Sequence, residues 1–161
     1  MIYIIMGVCS CGKTTISKEL SKSLNIPCYD ADDFHSNANI QKMKNCIPLK
    51  DCDRKPWLDS LSEKIKEWDN IGGAILACSA LKESYRQILN KNKNVIFILL
   101  HGKRSLIKER MLNREDHYMP VELLISQFEI LEIPDYAIKI PIDQPVEKIV
   151  SIIINKIRNK T

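Results

Sequence analysis

The chain has 161 residues, 45% of them apolar and 27% charged, with a formal net charge of +4. That length and composition fit a single folded domain, 1–161, and exclude a disordered chain. Basic and acidic residues interleave without a block of like charge, which argues against nucleic-acid binding, and the apolar runs at 2–6 and 152–154 are too short for a signal core or a membrane span.

Residues 2–6 form a continuous apolar run suited to a strand buried on both faces, and the run ends at Gly7. Ile16, Leu20 and Leu24 then recur at helical spacing, predicting a helix over 14–24. A short strand is expected at 27–30 and a short helix at 38–44, followed by a longer helix marked by Trp57, Leu58, Leu61, Ile65 and Trp68. Further strands are expected at 74–78, 95–100 and 138–142, and further helices at 81–89, 105–113, 120–131 and 146–157. A polar break at 115–119 separates two of those helices. Strands alternating with helices need crossover connections, so the predicted class is α/β, a mostly parallel sheet covered on both sides. Ligands in such sheets bind at the carboxyl ends of the strands, here just after Met6, Tyr29, Cys78 and Leu100.

The first of those positions carries Gly7-Val8-Cys9-Ser10-Cys11-Gly12-Lys13-Thr14, which fits GxxxxGK[ST] between a strand and a helix. Backbone N–H groups at a helix start hold phosphate oxygens, Lys13 adds a mobile charge, and the Thr14 hydroxyl suits Mg2+. Asp30-Ala31-Asp32-Asp33 follows the second strand, and on an extended chain Asp30 and Asp32 share a side. One carboxylate can serve the metal while the other accepts a proton from an attacking hydroxyl; a solvated turn capping a helix is the alternative. A third cluster, 48–58, is expected to precede the long helix. Within it Arg54 is suited to a two-bond grip on a carboxylate, and Trp57 reads equally as core or as substrate wall. Arg110 and Arg114, four residues apart before the polar break, suit a mobile lid over 114–122 that neutralises phosphoryl charge, with surface solubility as the competing account.

With these residues in view, the chain resembles the P-loop gluconokinases over nearly its whole length. The likeness rests on the phosphate loop, on Asp30 to Asp33 with His35, on the Asp-Arg-x-Pro-Trp-Leu string from Asp53 and on Cys78-Ser79-Ala80-Leu81-Lys82 with Tyr85-Arg86. It continues through His117 to Pro120, Ser126-Gln127-Phe128-Glu129 and Ile142-Asp143-Gln144-Pro145. The resemblance implies a three-layer P-loop kinase fold with a five-stranded parallel sheet and a mobile lid, ATP and Mg2+ as phosphoryl donor, D-gluconate as acceptor, and a homodimer. The short apolar runs themselves read as a cytoplasmic protein, in which the six cysteines would be free thiols or ligands. Carried over by position, the nucleotide would lie on Gly7, Val8, Cys9, Ser10, Cys11, Gly12, Lys13, Thr14 and Thr15, and the metal at Thr14 and Asp30. Asp32 would be the base, with Lys13, Arg110 and Arg114 assisting. Arg54 would meet the carboxylate, and His35, Met43, Trp57, Ser79 and Lys82 would line the acceptor site.

Ser10, Cys46 and Asp116 stand where the family usually has glycine, in a chain with only five glycines. If the backbone needs positive φ there, a side chain costs roughly 1–2 kcal/mol. Cys9-x-Cys11 and Cys46-x5-Cys52 lack the paired spacing of structural zinc sites and read as incidental thiols. Cys9 or Cys11, near a helix N-terminus and Lys13, is expected to have a lowered pKa. Two rival functions stay open on residues alone: a kinase for another sugar acid or shikimate, and a nucleotide-binding regulatory protein with impaired turnover.

Overall fold

The computed structural model describes residues 1–114 and 120–160. In chain order the elements are β1 (Ile2–Met6), α1 (Lys13–Leu24), β2 (Cys28–Asp30), a 3-10 turn (Ala31–Phe34), α2 (Asn37–Lys44), α3 (Asp51–Asn70), β3 (Ala74–Ala77), α4 (Glu83–Leu89), β4 (Val95–His101), α5 (Arg104–Leu112), α6 (Val121–Ile130), β5 (Ile138–Pro141) and α7 (Val146–Arg158). The five strands form one parallel sheet in the order β2-β3-β1-β4-β5.

The alternation of strand side chains separates two cores. Ile2, Ile4 and Met6 of β1, with Leu76, Phe97 and Leu99, pack against Trp57, Leu58, Leu61, Ile65 and Trp68 of α3 and Leu89 of α4. Ile5, Ile75, Ile98 and Leu100 face the other way, onto Ile16 and Leu20 of α1, Ile107 of α5, Leu124 of α6 and Ile149 and Ile153 of α7. Burial on both faces is why β1, β3 and β4 read as unbroken apolar runs. In β5, at the sheet edge, Ile138 and Ile140 are buried while Lys139 and Pro141 are exposed.

Two expectations about the helices fail. The cluster at 48–58 does not precede the long helix, because α3 begins at Asp51 and carries Arg54 and Pro56 inside it. Asp53 Oδ2 accepts from the Lys50 N–H at 2.9 Å, so the helix is capped ahead of the proline. Helix α4 begins at Glu83, two residues later than expected, because the backbone at its N-cap Lys82 is extended (φ −100°, ψ 148°).

Candidate active site

The strand order reverses direction around β1, so the connections from β1 and from its neighbours leave a crevice at the carboxyl end. The phosphate loop opens there on Gly7, whose φ is 145°. A Cβ on Gly7 would stand 2.7 Å from the Leu100 carbonyl oxygen and 2.9 Å from Cys11 Sγ, so no side chain fits. Gly12, φ 100°, is the N-cap of α1 and has no side chain with which to cap the first N–H groups. Uncapped N–H groups at a helix start are the kind of donors that can hold an anion. Lys13 Nζ donates to the carbonyls of Gly7 (3.1 Å) and Val8 (2.9 Å), and the Cys9 N–H donates to Gln127 Oε1 of α6 at 2.7 Å. Ser10 has φ 60° and Cys46 φ 57°, so both occupy the left-handed region that glycine favours. Asp116 and His117 lie outside the described residues, as does most of the expected lid at 115–119.

A cavity of about 240 Å³ adjoins the loop, lined by Ser10, Cys11, Gly12, Thr15, Ile16, Arg110, Arg114, Gln144, Val146 and Ile149. Arg110 Nη2 donates to the Ile142 carbonyl at 2.8 Å, which fixes its guanidinium along this wall. Gln144, Val146 and Ile149 were not anticipated as site residues; the Asp-Gln-Pro string ahead of α7 was the available signal. A second cavity, about 200 Å³, includes Asp69, Asn94 and Val95 at the amino end of the sheet, the wrong end for ligands in this architecture.

Beyond β2 the chain does not stay extended. Asp30 caps the 3-10 turn, its Oδ1 accepting from the Asp32 N–H at 3.0 Å. The expectation that Asp30 and Asp32 share a side by strand alternation therefore fails, because the carboxylate of Asp30 turns the chain at this point. The cap nevertheless brings the first proposed pair together, since Thr14 Oγ1 donates to Asp30 Oδ2 at 3.1 Å. Asp32 keeps 79% of its side-chain surface. Its pKa is raised above the ordinary Asp value, first because the surrounding protein displaces part of its hydration, then by the charges of Asp30 and Asp33, with Lys13 pulling the other way.

Behind this turn, the Trp57 indole donates to the Ala31 carbonyl at 2.8 Å and stacks on His35, centroids 4.1 Å apart. Trp57 is 7% exposed, so it supports the turn as a core residue. The His35 side chain is 4% exposed, with Nε2 3.9 Å from Asp32 Oδ1. Burial, and then the Arg54 charge, hold its pKa down to about 4, so the imidazole is neutral at physiological pH. Asn39 Nδ2 lies 3.3 Å from His35 Nδ1, a pattern that assigns the ring hydrogen to Nε2, on the Asp32 side.

Across the cleft, Arg54 and Lys82 meet around Tyr85, each cation 5.6 Å from the ring centroid. Arg54 Nη1 donates to the Tyr85 hydroxyl at 3.2 Å. Lys82 Nζ donates to both Asp51 oxygens at 3.1 Å, and the Tyr85 hydroxyl also donates to Asp51. Asp51 and Tyr85 are the members of this cluster that sequence reasoning did not single out. The β3–α4 loop carrying Ser79 and Lys82 is held from beneath by Arg86, 2% exposed, which donates to the Ala80 and Leu81 carbonyls at 2.7 and 3.1 Å. Ser79 ties the two halves together, its carbonyl accepting from the Gly7 N–H at 3.3 Å. The structure does not bring Met43 into the cluster; it lies near the end of α2, 40% exposed.

Among the cysteines, the expectation for Cys9 is overturned. Burial raises its pKa more than Lys13 lowers it. Cys11 is 1% exposed and packs in the core.

The shikimate kinase family model matches residues 9–122 of this chain. A gluconokinase from Arabidopsis thaliana is 38% identical, the match covering 98% of this chain and 93% of that protein. The thermoresistant gluconokinase of Escherichia coli (strain K12) is 36% identical, with coverage of 98% and 93%. The chain belongs to the gluconokinase family. A crystal structure of a gluconokinase from Sinorhizobium meliloti 1021 superposes with a TM-score of 0.84 at 35% identity, covering 92% of this chain and 86% of that one. The five-stranded parallel sheet with helices on both faces is thus a gluconokinase-family framework. Ser10 and Cys46 sit on it at left-handed positions.

Proposed function

We propose that this protein transfers the γ-phosphoryl group of ATP to the 6-hydroxyl of D-gluconate, giving 6-phospho-D-gluconate and ADP. The observation that carries the reading is the contact between Thr14 and Asp30, 3.1 Å, which joins the phosphate loop to the acidic turn on which Asp32 stands. Phosphoryl transfer needs donor and acceptor held within reach of each other, and most of its catalysis is positioning and charge neutralisation.

In this reading the N–H groups from Ser10 to Thr14 hold the phosphates, and Lys13 leaves the loop carbonyls for phosphate oxygens. The nucleoside extends into the cavity between Thr15, Arg110, Arg114 and Gln144. Thr14 and Asp30 offer hard oxygen ligands, and among the described residues no three His, Cys, Asp or Glu groups form a cage of their own. That donor set fits Mg2+, which binds through one or two protein oxygens plus phosphates and, when bound, draws charge from the phosphate oxygens. The 6-hydroxyl oxygen forms the new bond to phosphorus as the bond to the ADP oxygen breaks, and the hydroxyl proton passes to Asp32. A raised pKa makes Asp32 the better proton acceptor. Arg54 and Lys82 receive the substrate carboxylate. Assembly as a homodimer, and work in the cytosol with all six cysteines as free thiols, belong to the same proposal.

The test is a coupled ADP-release assay across D-gluconate, shikimate and nucleoside monophosphates. Turnover dependent on gluconate is expected. ATP binding without gluconate-dependent ADP release, or faster turnover of shikimate, would refute the proposal.

A further inference from the structure

Asp51 is the first residue of α3, where an acid ordinarily serves the helix start. Here Asp53 performs that service, accepting from the Lys50 N–H at 2.9 Å. The Asp51 carboxylate reaches instead across to the β3–α4 loop and α4. Both of its oxygens accept from Lys82 at 3.1 Å, one accepts from the Tyr85 hydroxyl, and Arg54 Nη1 stands 4.0 Å away. Its three partners are the cations assigned above to the substrate carboxylate and the hydroxyl lying between them. Asp51 is 63% exposed on its side chain, so this grip is open to a competing ligand from solvent.

The geometry points to Asp51 as a specificity-determining residue: its carboxylate competes with an incoming carboxylate for Lys82 and Arg54, and favours acids whose own hydroxyls can bond to Asp51 once it is displaced. This rests on the proposed function and names what that site selects. A carboxylate is acceptor-only, so Asp51 moved off Lys82 needs new donors. A polyhydroxy acid brings its carboxylate to the cations and its hydroxyls to Asp51 together. An acid without hydroxyls displaces Asp51, supplies no donor, and leaves two like charges side by side, which is unfavourable. The hydrogen bond from Tyr85, followed by that from Lys82, keeps Asp51 below the usual Asp range, so the competitor is charged throughout the working pH range.

The experiment uses the full chain with Mg-ATP and compares two six-carbon acids, D-gluconate as substrate and hexanoate as competitive inhibitor. For wild type and Asp51→Asn, the ratio of hexanoate Ki to gluconate KM is measured. Asparagine keeps the shape and removes the charge, so hexanoate should bind more tightly and gluconate should lose its charged hydroxyl acceptor. An exposed ion pair corresponds to a change of roughly fivefold, and the ratio is expected to fall at least threefold. A smaller fall, no change or a rise overturns the inference. If circular dichroism shows Asp51→Asn unfolded, Asp51→Ser, which also removes the carboxylate at this exposed helix start, is judged by the same threshold. Should the wild type show no gluconate-dependent turnover, the proposed function fails on that control, and isothermal titration of the two acids into both proteins gives the affinity ratio that decides Asp51's part.

Discussion

In the proposed function the phosphate loop and the acceptor cluster both hold anions, but the loop does so with main chain and the cluster with side chains. From Gly7 to Thr14 the binding groups are N–H donors fixed by unusual backbone angles, φ 145° at Gly7, 60° at Ser10 and 100° at Gly12. Around Tyr85 the groups are Arg54, Lys82 and Asp51, projected from α3 and from the loop before α4 and paired with one another. A main-chain site discriminates little among phosphates, because every residue offers the same N–H. A side-chain site can be tuned to one acceptor by single substitutions. Changes on the acceptor side should therefore alter which substrate reacts, and changes on the donor side should alter whether the loop forms.

The largest expected effect tests the residue standing between the two. Asp32→Asn should lower kcat by about 10²–10⁴-fold, the usual worth of a positioned base, while leaving ATP affinity within about twofold by titration. The same substitution should stabilise the fold at neutral pH. Because the folded pKa is raised, the unfolded chain releases its proton first as pH rises. Stability is therefore lost through the interval above the ordinary Asp value, and the asparagine variant escapes that loss. Next in size, Arg54→Ala removes one charge-assisted contact, worth about 1.5–3 kcal/mol. Gluconate KM should rise roughly tenfold to a hundredfold with ATP KM little changed, measured in the same assay. Equal losses for both substrates would erase the distinction between the two sides.

The two sides were also unequally legible in the sequence. The donor side is one contiguous string between a strand and a helix, and Gly7 through Thr14 could be read with their roles. The acceptor side is assembled from Asp32, Arg54 and Lys82 on three separate segments, and the pairing of Asp51 with Lys82 spans a crossover that no local pattern encodes. Alternation failed at Asp30 to Asp33 because an aspartate that accepts from the N–H two residues ahead turns the chain, a local hydrogen bond that outcompetes strand continuation. The sheet was legible because burial on both faces left unbroken apolar runs, whereas Gln127 on the Cys9 N–H was not, since one glutamine on a helix carries no periodic signal.

A pH measurement separates the wall of the acceptor side from its charges. His35 has a folded pKa of about 4 against an ordinary 6.5, so as pH falls below 6.5 the unfolded chain takes up a proton that the folded chain refuses. Stability should decline across that window in urea titrations, and His35→Gln should flatten the decline. An unchanged slope would mean that His35 is already protonated against Asp32 in the folded protein, and the neutral wall would be wrong.

The smallest effect isolates backbone strain, and it pairs one residue inside the phosphate loop with one outside. Cys46 ends α2 in a pattern that wants glycine: its N–H donates to the Met43 carbonyl at 3.1 Å and the Ile47 N–H to the Lys42 carbonyl at 2.8 Å, with φ 57° at Cys46 itself. Ser10 meets the same demand, φ 60°, within the loop. Glycine relieves about 1–2 kcal/mol of left-handed strain but gives the unfolded chain more freedom, so each of Ser10→Gly and Cys46→Gly should gain about 1 kcal/mol or less, seen as a rise of about 2–4 °C in Tm. The two should differ in binding. Ser10→Gly relaxes the segment whose N–H groups meet phosphate and should change ATP affinity, whereas Cys46→Gly should leave it unaltered, by titration with ADP and ATP. If Cys46→Gly moved nucleotide affinity as much as Ser10→Gly does, strain would be shared across the cleft, and the division between a main-chain side and a side-chain side would not hold.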